Sequence, residues 1–556
     1  MISNVITSAD SYKLSHFTQI FPGTTQLYET FTPRSLKHLP AEARELTNDH
    51  LIWFGVQATV IALHEAFDNE FFSRPFSIAI ENLRNQAIYF AGPTFSIEPF
   101  RKLHALGYLP IRIKSLPEGS LIPARIPGLT ITNTHPDFAW LVGYLETVLS
   151  NETWKSVNNA TIAFAYRRLL TQAATRTGAP VEFVKWQGHD FSSRGMSGST
   201  DAARQGISHL TSFLGSDSIG STPLISKYYD TLASDFIAGS IPASEHMTET
   251  LAIQVLAKRH NVSLAEAEYL QFKRLITELY PTGLVARVCD SYDYWNVITN
   301  TIPRLKQEIL SRNPDDLGMA KVVVRPDSGN PIDIICGTAI PVLTLTDIER
   351  YFRKDRLAKD VWFVTYKSGA NQYIYYKDAF TDPLYLDPIS TPAEVKGSIA
   401  CLWQTFGGTI NSSGYRNLDS HIGLIYGDSI TIKRAKEIVT KLEQLGFAST
   451  NVVLGIGSYT YQMSSRDTLG MALKATFAVV EGAEIDLNKD PKTDDGTKRS
   501  AKGRVRVEYL NDDYILLDQQ SIDEEQLGLL QTIYCDGQFS NLESFSTIRS
   551  RIDNLV

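Results

Sequence analysis

The chain has 556 residues, of which 43% are hydrophobic and 21% charged, a globular composition long enough for one large domain or two to three smaller ones. Its net charge of −8 argues against a general nucleic-acid binder, although local cations can still bind a small anionic substrate. The cysteines are scattered without a CxxC pair, which excludes a zinc ribbon, argues against a disulfide framework and predicts a reducing compartment.

No apolar run approaches the ~18 residues that a transmembrane helix needs, and the N-terminal segment lacks a signal-peptide core. We therefore expect a soluble, cytoplasmic protein with neither a membrane nor a nucleic acid as partner.

The first 180 residues mix helical patterns with short extended pieces. Helices are predicted from Leu51 to Phe67 and from Trp140 to Leu170, and Ile111 to Lys114 is predicted as a strand. Four prolines divide residues 110–127 into short extended pieces, which is typical of a small antiparallel layer.

From about residue 181, short predicted strands alternate with helices. The predicted strands are Val181–Trp186, Leu284–Val288, Val322–Val324, Ile422–Tyr426, Val452–Leu454 and Phe477–Val480. A capping box at Ser263 predicts a helix to about Tyr280, and Thr431 to Leu445 shows an amphipathic helical pattern that ends at Gly446. This alternation predicts a parallel sheet, either open or closed into a barrel.

Polar residues and glycines follow several of these strands. The segments are Gly188-His189-Asp190, Asp290-Ser291-Tyr292-Asp293, Arg325 with Asp327, Gly427-Asp428-Ser429, and Gly455-Ile456-Gly457-Ser458. In parallel α/β folds, ligands bind at the carboxyl ends of strands, so this pattern predicts an active site there.

The segment from Val322 to Pro331 has the chemistry of a sugar-phosphate site. Arg325 can donate a planar pair of hydrogen bonds, Asp327 can accept from sugar hydroxyls, and Gly329 lets a ligand approach the backbone. An ordinary strand and turn with an exposed ion pair explains the same residues equally well.

Two further segments could contact a flat polar ring. Phe191 could stack on the ring while Arg194 binds a phosphate, although a core phenylalanine beside a surface arginine is the simpler interpretation. Asp217, in a loop rich in glycine and serine, could accept from a polar substrate edge, but surface turns have the same composition.

His246 follows a proline-containing segment and has no partner at metal-ligand spacing, which argues against a zinc site. A single histidine is usually structural, but this one could transfer protons or accept a phosphoryl group.

The segment from Gly455 to Ser458 predicts a phosphate-binding turn, and Arg466 could reach the same phosphate.

The most basic stretch of this acidic chain runs from Lys489 to Arg504. It could be a solvated loop or a targeting-like patch, but a polyphosphate-binding segment agrees better with the phosphate-binding turn upstream. Neither a Walker A motif nor the type I phosphoribosyltransferase signature is evident.

These motifs, in this order, resemble the type II phosphoribosyltransferases that act on nicotinamide or nicotinate, and the nicotinamide-using members in particular. The matching residues are Asp10-Ser11-Tyr12-Lys13 with His16, His189-Asp190-Phe191 with Arg194-Gly195, Asp217, Pro242-Ala243-Ser244-Glu245-His246, Ser291-Tyr292-Asp293, Arg325-Pro326-Asp327-Ser328-Gly329-Asn330-Pro331, Gly427-Asp428, Arg466-Asp467, and Lys498-Arg499-Ser500 with Lys502-Gly503-Arg504.

The resemblance implies an α/β fold: an irregular barrel formed by residues 181–474, with an irregular insertion at about 337–420, and a mixed α+β domain formed by residues 1–180 and 475–556. It also implies a head-to-tail homodimer with shared active sites. The implied reaction converts nicotinamide and 5-phosphoribosyl 1-diphosphate into nicotinamide mononucleotide and diphosphate, in NAD salvage. Mg2+ is expected on the diphosphate, and ATP is expected as a co-substrate.

The resemblance also assigns roles to residues. Phe191 and the partner subunit's Tyr12 would enclose the pyridine ring, Asp217 would accept from the carboxamide, and Arg325 would lie near the pyridine pocket. Asp327 would lie near the ribose hydroxyls and stabilise a cationic transition state, as carboxylates do in glycoside cleavage.

The remaining implied roles concern phosphates. The residues expected to hold the ribose 5-phosphate are Gly427, Asp428, Gly457, Ser458 and Arg466, with Arg194 close by. Those expected to contact the diphosphate are Arg34, Lys474, Lys489, Lys498 and Arg504. His246 would be the phosphohistidine through which ATP hydrolysis is coupled to synthesis.

Ser458 stands where the family commonly has glycine, so the phosphate loop is expected to be tighter or to donate through a hydroxyl.

Two alternative functions remain at this point. One is a nicotinate-using enzyme on the same fold, which Asp217 disfavours because a carboxylate repels a substrate carboxylate. The other is a non-catalytic pyridine-nucleotide sensor, which would be expected to have lost His246 or some of the diphosphate cations.

Overall fold

The computed structural model describes the chain except residues 1, 3, 93–94, 233–234, 339–362, 369–370, 377–384, 388–391, 494–495 and 497. The chain divides into two compact units, which are described separately. Unit 1 comprises Met1–Thr171, Gly188–Gly239 and Ile456–Val556, and unit 2 comprises Gln172–Gln187 and Ser240–Gly455. The domain boundaries expected from the sequence, near residues 180 and 474, stay a prediction.

The strands of the described residues are mostly short. They are β1 (Thr24–Thr32), β2 (His50–Trp53), β3 (Ile111–Ser115), β4 (Ser120–Pro123), β5 (Leu129–Asn133), β6 (Gly188–Asp190), β7 (Gly215–Ser216), β8 (Val285–Val288), β9 (Val322–Arg325), β10 (Phe363–Ser368), β11 (Asn371–Tyr376), β12 (Tyr385–Asp387), β13 (Gly408–Ile410), β14 (Arg416–Leu418), β15 (Ile422–Tyr426), β16 (Val452–Ile456), β17 (Ala472–Val480), β18 (Ala483–Asp486), β19 (Arg504–Leu510), β20 (Asp513–Gln520), β21 (Gln531–Cys535) and β22 (Gln538–Phe539).

The α-helices of the described residues range from single turns to one long helix. They are α1 (His16–Gln19), α2 (Ala41–Thr47), α3 (Val56–Phe67), α4 (Phe76–Ala79), α5 (Glu81–Ala91), α6 (Glu98–Leu106), α7 (Ala139–Tyr144), α8 (Glu146–Arg176), α9 (Val184–Gln187), α10 (Ser199–Leu210), α11 (Ser221–Tyr228), α12 (His246–His260), α13 (Leu264–Arg274), α14 (Tyr294–Asn296), α15 (Ile302–Arg304), α16 (Lys306–Leu310), α17 (Pro331–Cys336), α18 (Ala393–Lys396), α19 (Ser398–Phe406), α20 (Ile432–Gln444), α21 (Ser458–Tyr461), α22 (Ile522–Gln526) and α23 (Phe545–Asp553).

Short 3-10 and π-helical turns connect these elements. The 3-10 turns are Val5–Thr7, Ser11–Ser15, Pro136–Phe138, Val181–Phe183, Ser193–Gly195, Ser449–Asn451 and Arg466–Thr468, and the π-helical turns are Asp68–Phe72, Leu275–Leu279 and Val297–Thr301.

Unit 1 contains a seven-stranded antiparallel sheet in the order β18-β17-β1-β5-β3-β21-β22. Its central strands are largely buried, and the side chains of Phe31, Ile113 and Ile131 are fully buried. The predicted strand from Ile111 is confirmed as β3, and β2 pairs with β4 in a separate antiparallel ribbon. The short strands β6 and β7 pair in parallel.

Two predictions in this unit are wrong. Phe477–Val480 was expected among alternating parallel strands, but it forms the end of β17, which pairs antiparallel with β1. The helix expected from Leu51 begins only at Val56, because Leu51 pairs in β2 and Gly55 adopts a φ of 93° before the helix. Apolar composition alone did not distinguish these strands from their neighbours.

The segment Val181–Trp186 was also expected to be a strand, and it is helical. Pro180 precedes a 3-10 turn over Val181–Phe183, followed by α9, and strand β6 begins only at Gly188. Proline is compatible with a helix start, so the β-branched and aromatic residues that suggested a strand lie in a helical turn.

Unit 2 contains parallel strands in the order β16-β15-β9-β8. Between β15 and β16 lies α20, which begins at the predicted N-cap Thr431, whose hydroxyl accepts from the backbone N–H of Arg434 at 3.2 Å. The side chains predicted to form its apolar face, including Ala435 and Val439, are buried. The parallel sheet of this unit and the antiparallel sheet of unit 1 confirm the predicted α/β fold class.

Part of the insertion expected at residues 337–420 lies outside the described residues. Its described strands β10, β11 and β12 form an antiparallel sheet, and β13 pairs antiparallel with β14. In the described part of the chain, no helix is both long enough and apolar enough to cross a membrane.

Replacing Leu424 in β15 with alanine tests how strongly the parallel sheet depends on its buried side chains. Leu424 is 1% exposed, so the truncation leaves a cavity that we expect to cost about 2–5 kcal/mol of unfolding free energy. Urea denaturation measures the change. Leu317→Ala, at a position that is 81% exposed, should lie within about 0.5 kcal/mol of wild type; equal effects of the two substitutions would contradict the assigned burial.

Candidate active site

The end of strand β9 carries an ion pair in a fixed turn. Arg325 Nη2 lies 2.9 Å from Asp327 Oδ2, and both side chains are largely buried. Pro326 ends the strand, and Gly329 adopts a φ of 94°, which disfavours a side chain at that position. The hydroxyl of Tyr426 donates to the carbonyl of Gly329 at 2.8 Å and so holds the turn.

Asp290, after strand β8, binds this turn. Its Oδ2 accepts from the backbone N–H of Asp327 at 3.1 Å and from the hydroxyl of Ser328 at 2.6 Å. The Asp290 side chain is only 5% exposed. Its Oδ1 is buried without a hydrogen-bond partner among the described residues.

His246 begins helix α12 and faces that second oxygen. Its Nε2 lies 3.6 Å from Asp290 Oδ1, its Nδ1 lies 3.4 Å from the hydroxyl of Ser291, and the imidazole is about half exposed. A buried carboxylate beside an accessible imidazole can stabilise positive charge on the ring. No individual role is predicted for Asp290 from the sequence, although its position two residues after a predicted strand is a usable signal.

Gly427 and Asp428 follow strand β15, as predicted. The Asp428 side chain is exposed. The turn is held by Arg434, whose guanidinium donates to the carbonyl of Ser429 at 2.5 Å. The predicted site residues of unit 2 are therefore His246, Arg325, Asp327, Gly427 and Asp428, and the others lie in unit 1.

In unit 1, His189 and Asp217 form a pair at the ends of β6 and β7. His189 Nε2 lies 2.9 Å from Asp217 Oδ1, and the backbone N–H of Asp217 donates to the carbonyl of Asp190 at 3.0 Å. A Cβ on Gly215 would lie 2.6 Å from the His189 ring, so glycine is required for this approach. Asp190 is fully buried and accepts from the Ser218 hydroxyl at 2.7 Å. Asp217 is thus fixed by its backbone and by His189, but its side chain is 46% exposed.

Phe191 directly follows this pair. Its ring centroid lies 5.0 Å from that of His189, and its backbone N–H donates to the carbonyl of Ile456 at 3.0 Å, one residue before Gly457. A Cβ on Gly195 would lie 2.1 Å from the hydroxyl oxygen of Ser458. The structure therefore brings together the Phe191–Gly195 segment and the predicted phosphate turn, and the serine that departs from the family pattern packs against Gly195.

Lys474 lies in a cluster of charged side chains. Its ammonium lies 3.3 Å from Glu146 Oε1, and Glu146 Oε2 contacts the ammonium of Lys13. Tyr12 precedes Lys13 in the same turn and is 58% exposed. The fourth charged member is Glu29, a buried side chain whose Oε2 has no hydrogen-bond partner among the described residues.

The other predicted phosphate ligands are not gathered into one group by their contacts. Arg34 donates to the carbonyl of Gly470 at 2.7 Å, and Arg504 pairs with Glu484 at 2.6 Å while stacking on Phe477. Four of the predicted cations have exposed side chains: Arg194, Arg466, Lys489 and Lys498. Among the described residues, no group of three or more His, Cys, Asp or Glu side chains could hold a metal ion.

Comparison with known proteins places this geometry in a family. The sequence profile of the nicotinate phosphoribosyltransferase (NAPRTase) family matches residues 186–538, more than half of the chain. The chain belongs to this family. The profile covers the strand ends that carry His189, Asp217, His246, Asp290 and Asp327.

Two curated relatives match over nearly the whole chain. The nicotinamide phosphoribosyltransferase of Acinetobacter baylyi is 42% identical over 551 residues, covering 99% of this chain and 97% of that protein. The nicotinamide phosphoribosyltransferase of Mycoplasma pneumoniae is 32% identical over 516 residues, covering 89% of this chain and 94% of that protein.

The fold also has a counterpart among solved structures. The crystal structure of nicotinate-nucleotide pyrophosphorylase from Pyrococcus furiosus superposes with a TM-score of 0.50 at 14% identity, covering 99% of this chain and 95% of that one. At this identity the comparison supports the fold of the family.

Glu29 gives the charged cluster a testable pH dependence. Burial, followed by the charge of Glu146, raises the pKa of Glu29 from 4.5 to about 7. Between these two values the folded protein holds a proton that the unfolded chain has released, so the unfolding free energy falls as pH rises through this window. We expect Glu29→Gln to remove this component, on the order of 3 kcal/mol between pH 4.5 and pH 7.

Urea denaturation of wild type and variant at several pH values measures the difference. Glu98→Gln serves as a control because its side chain is 57% exposed. Parallel pH profiles for wild type and Glu29→Gln would contradict the buried, proton-binding state of Glu29.

Proposed function

We propose that the protein is a nicotinamide phosphoribosyltransferase that forms nicotinamide mononucleotide and diphosphate from nicotinamide and 5-phosphoribosyl 1-diphosphate, in NAD salvage. Family membership and the full-length relatives of that name support the reaction. The observation that carries the choice of nicotinamide is Asp217, a half-exposed carboxylate held by His189 at 2.9 Å.

Asp217 discriminates by charge and by hydrogen bonding. Its carboxylate accepts from the carboxamide N–H of nicotinamide, whereas the carboxylate of nicotinate would be repelled by a like charge at the same position. His189 restricts the orientation of Asp217, so the acceptor is held in place before the substrate binds. Phe191, next to this pair, offers a flat face for the pyridine ring.

The chemical step is a displacement at C1 of the ribose. The pyridine nitrogen forms a bond to C1 while the bond from C1 to the diphosphate oxygen breaks, through an oxocarbenium-like transition state. We assign Asp327 to stabilising that cation. The contacts of Arg325 and Asp290 hold Asp327 in one orientation, which lowers the cost of reorganisation during the reaction.

The leaving diphosphate needs cations. We assign this role to Lys474, with the other predicted phosphate ligands, and to Mg2+ carried by the diphosphate. The described residues alone form no site for this ion, so Mg2+ would be held mainly by the diphosphate, and the Asp327 carboxylate could add one oxygen ligand. When bound, Mg2+ would neutralise charge on the leaving group.

We further propose that ATP phosphorylates His246. A ring nitrogen would attack the γ-phosphorus, the bond to the β–γ bridging oxygen would break, and ADP would leave. The half-exposed ring is accessible to ATP, and the neighbouring Asp290 carboxylate can hold the proton on the other nitrogen or offset positive charge on the ring.

We also propose that the protein is a cytoplasmic homodimer with shared active sites. The pyridine ring would then also contact the partner subunit's Tyr12. In the single chain, Tyr12 is 58% exposed, which leaves the aromatic face accessible to a second subunit. The buried, unpaired cysteines Cys289, Cys336 and Cys401 are compatible with a reducing compartment.

A competition assay tests the function. The protein receives 5-phosphoribosyl 1-diphosphate, Mg2+ and equal nicotinamide and nicotinate, with and without ATP, and the two mononucleotides are quantified. We expect mainly nicotinamide mononucleotide. Mainly nicotinate mononucleotide would refute the role of Asp217 but keep the reaction, and no product from folded protein would favour a pyridine-nucleotide sensor.

The substitution Asp217→Asn tests the specificity argument. The amide removes the like-charge repulsion, so we expect the preference for nicotinamide over nicotinate to fall by about tenfold or more. The ratio of kcat/KM values for the two substrates is the measurement. Asp512→Asn, in an exposed turn where asparagine is equally compatible with the backbone, is the control. An unchanged ratio for Asp217→Asn would refute the role of Asp217 in substrate choice.

The substitution His246→Ala tests the coupling to ATP. We expect it to abolish the increase in synthesis that ATP causes, because no ring nitrogen remains to accept the phosphoryl group. The rate is measured with and without ATP. His260→Ala, an exposed histidine at the other end of helix α12, should retain the increase, and ATP stimulation that persists in His246→Ala would rule out the phosphohistidine.

A further inference from the structure

We propose that a buried ion pair between Glu249 and Arg287 anchors helix α12 to strand β8 and thereby positions His246 next to Asp290. Glu249 and Arg287 are positioning residues in this view, since neither touches a substrate. The inference rests on the proposed role of His246 in ATP coupling.

The ion pair is fully enclosed. Arg287 Nε donates to Glu249 Oε2 at 3.1 Å, Arg287 Nη2 lies 2.9 Å from the same oxygen, and neither side chain is exposed. A second carboxylate, Glu268 on α13, lies 3.5 Å from Nη2, and the ring of Phe272 covers the guanidinium at 4.6 Å. Because the guanidinium is planar, these contacts fix its orientation as well as its position.

Glu249 and Arg287 each lie close in sequence to the residue that they would position. Glu249 is three residues after His246, in the first turn of α12. Residues three apart on a helix lie on neighbouring positions of its surface, so the rotation of the helix that seats Glu249 also sets the direction of the imidazole. Arg287 lies in β8, and Asp290 follows two residues after that strand ends.

The segment before the helix is already bound to the same strand. The backbone N–H of Ser244 donates to the carbonyl of Ala286 at 3.0 Å, and the N–H of Val288 donates to the Ser244 hydroxyl at 3.1 Å. These bonds fix the chain up to Ser244, two residues before His246. They leave the rotation of the helix to be set by its own side chains.

Helix α12 has few other anchors. Of its 15 residues, only Glu249 and Ile253 are buried. Met247 and Leu251, which flank Glu249, are 61% and 62% exposed. A helix held by so little apolar surface depends on its buried polar contacts, and Glu249 is the buried contact in the turn that carries His246.

The charges around Arg287 explain why removing Glu249 should displace the side chain of His246. Burial raises the pKa of Glu268, so that carboxyl group binds a proton more readily than an exposed one. Removing Glu249 would leave Arg287 with a poorer partner in a dry environment, which is more costly than removing both charges together. The helix turn would move to restore a hydrogen bond, and the imidazole would move with it.

The test measures ATP coupling in three variants. The readouts are the ratio of synthesis rates with and without ATP, and the acid-labile phosphate bound per folded protein, neither of which depends on how much protein folds. For Glu249→Ala we expect loss of both. For Glu249→Gln, whose amide oxygen can still accept from Arg287, we expect a partial loss. For Glu249→Leu/Arg287→Met we expect recovery above Glu249→Ala, because an apolar pair can anchor the helix without a buried unpaired charge.

Glu266→Ala is the matched control, because Glu266 pairs with Arg304 on the exposed surface of the neighbouring helix α13. It should retain both wild-type readouts. Wild-type coupling in Glu249→Ala, or in Glu249→Gln if the alanine variant does not fold, would overturn the inference. Equal losses in folded Glu249→Ala and the folded double variant would also overturn it, because the effect would then not follow the anchoring of the helix.

A wild-type protein that shows neither ATP stimulation nor bound phosphate would refute the proposed role of His246 itself. The inference about Glu249 would fall with it. That result is distinguishable from failure of the inference alone, in which wild type is coupled and the Glu249 variants remain equally so.

Discussion

The carboxylate of Asp290 is the contact on which the unit 2 part of the candidate site depends. A buried carboxylate is costly unless hydrogen bonds replace the lost water, and here the Asp327 backbone and the Ser328 hydroxyl both donate to one oxygen. The other oxygen faces His246. One side chain therefore holds the turn with the carboxylate proposed to stabilise the ribosyl cation and also faces the histidine proposed to accept a phosphoryl group. Any displacement at one of these places is transmitted to the other through a single rigid group.

The sequence predicted the fold where local patterns and tertiary structure agree. Helix α20 has a cap at Thr431 and a regular apolar face, and strand β15 is a short apolar run, so both were located almost to the residue. The segment at Val181 was misassigned because β-branched and aromatic residues also occur in helical turns that follow a proline. The direction in which Phe477 pairs depends on β1, more than 400 residues away in the sequence, and no local pattern carries that information.

The same distinction explains which parts of the site were predictable. Motifs single out individual residues such as Asp217 and His246 as candidates, because a motif consists of neighbouring residues in the sequence. They did not identify the contact between His189 and Asp217, the buried state of Asp290 or the Glu249–Arg287 pair, since each joins elements that are separated in the chain. Nor does the sequence show that Arg504, in the basic stretch near the C-terminus, pairs with Glu484, because the two residues lie on separate strands.

An acidic protein that binds a polyanion must hold its cations without trapping them. Glu146 contacts both Lys13 and Lys474, so its charge stays compensated by Lys13 if Lys474 turns toward a diphosphate. Lys13 is 4% exposed on its side chain and Lys474 is 33% exposed, so the accessible lysine is the one that can move and the buried one remains. A partly exposed ion pair contributes little to stability, so exchanging it for a contact with the diphosphate costs little. The contact with Glu146 thus holds Lys474 in place before a diphosphate binds. Breaking that contact would reduce the binding free energy of the diphosphate only slightly.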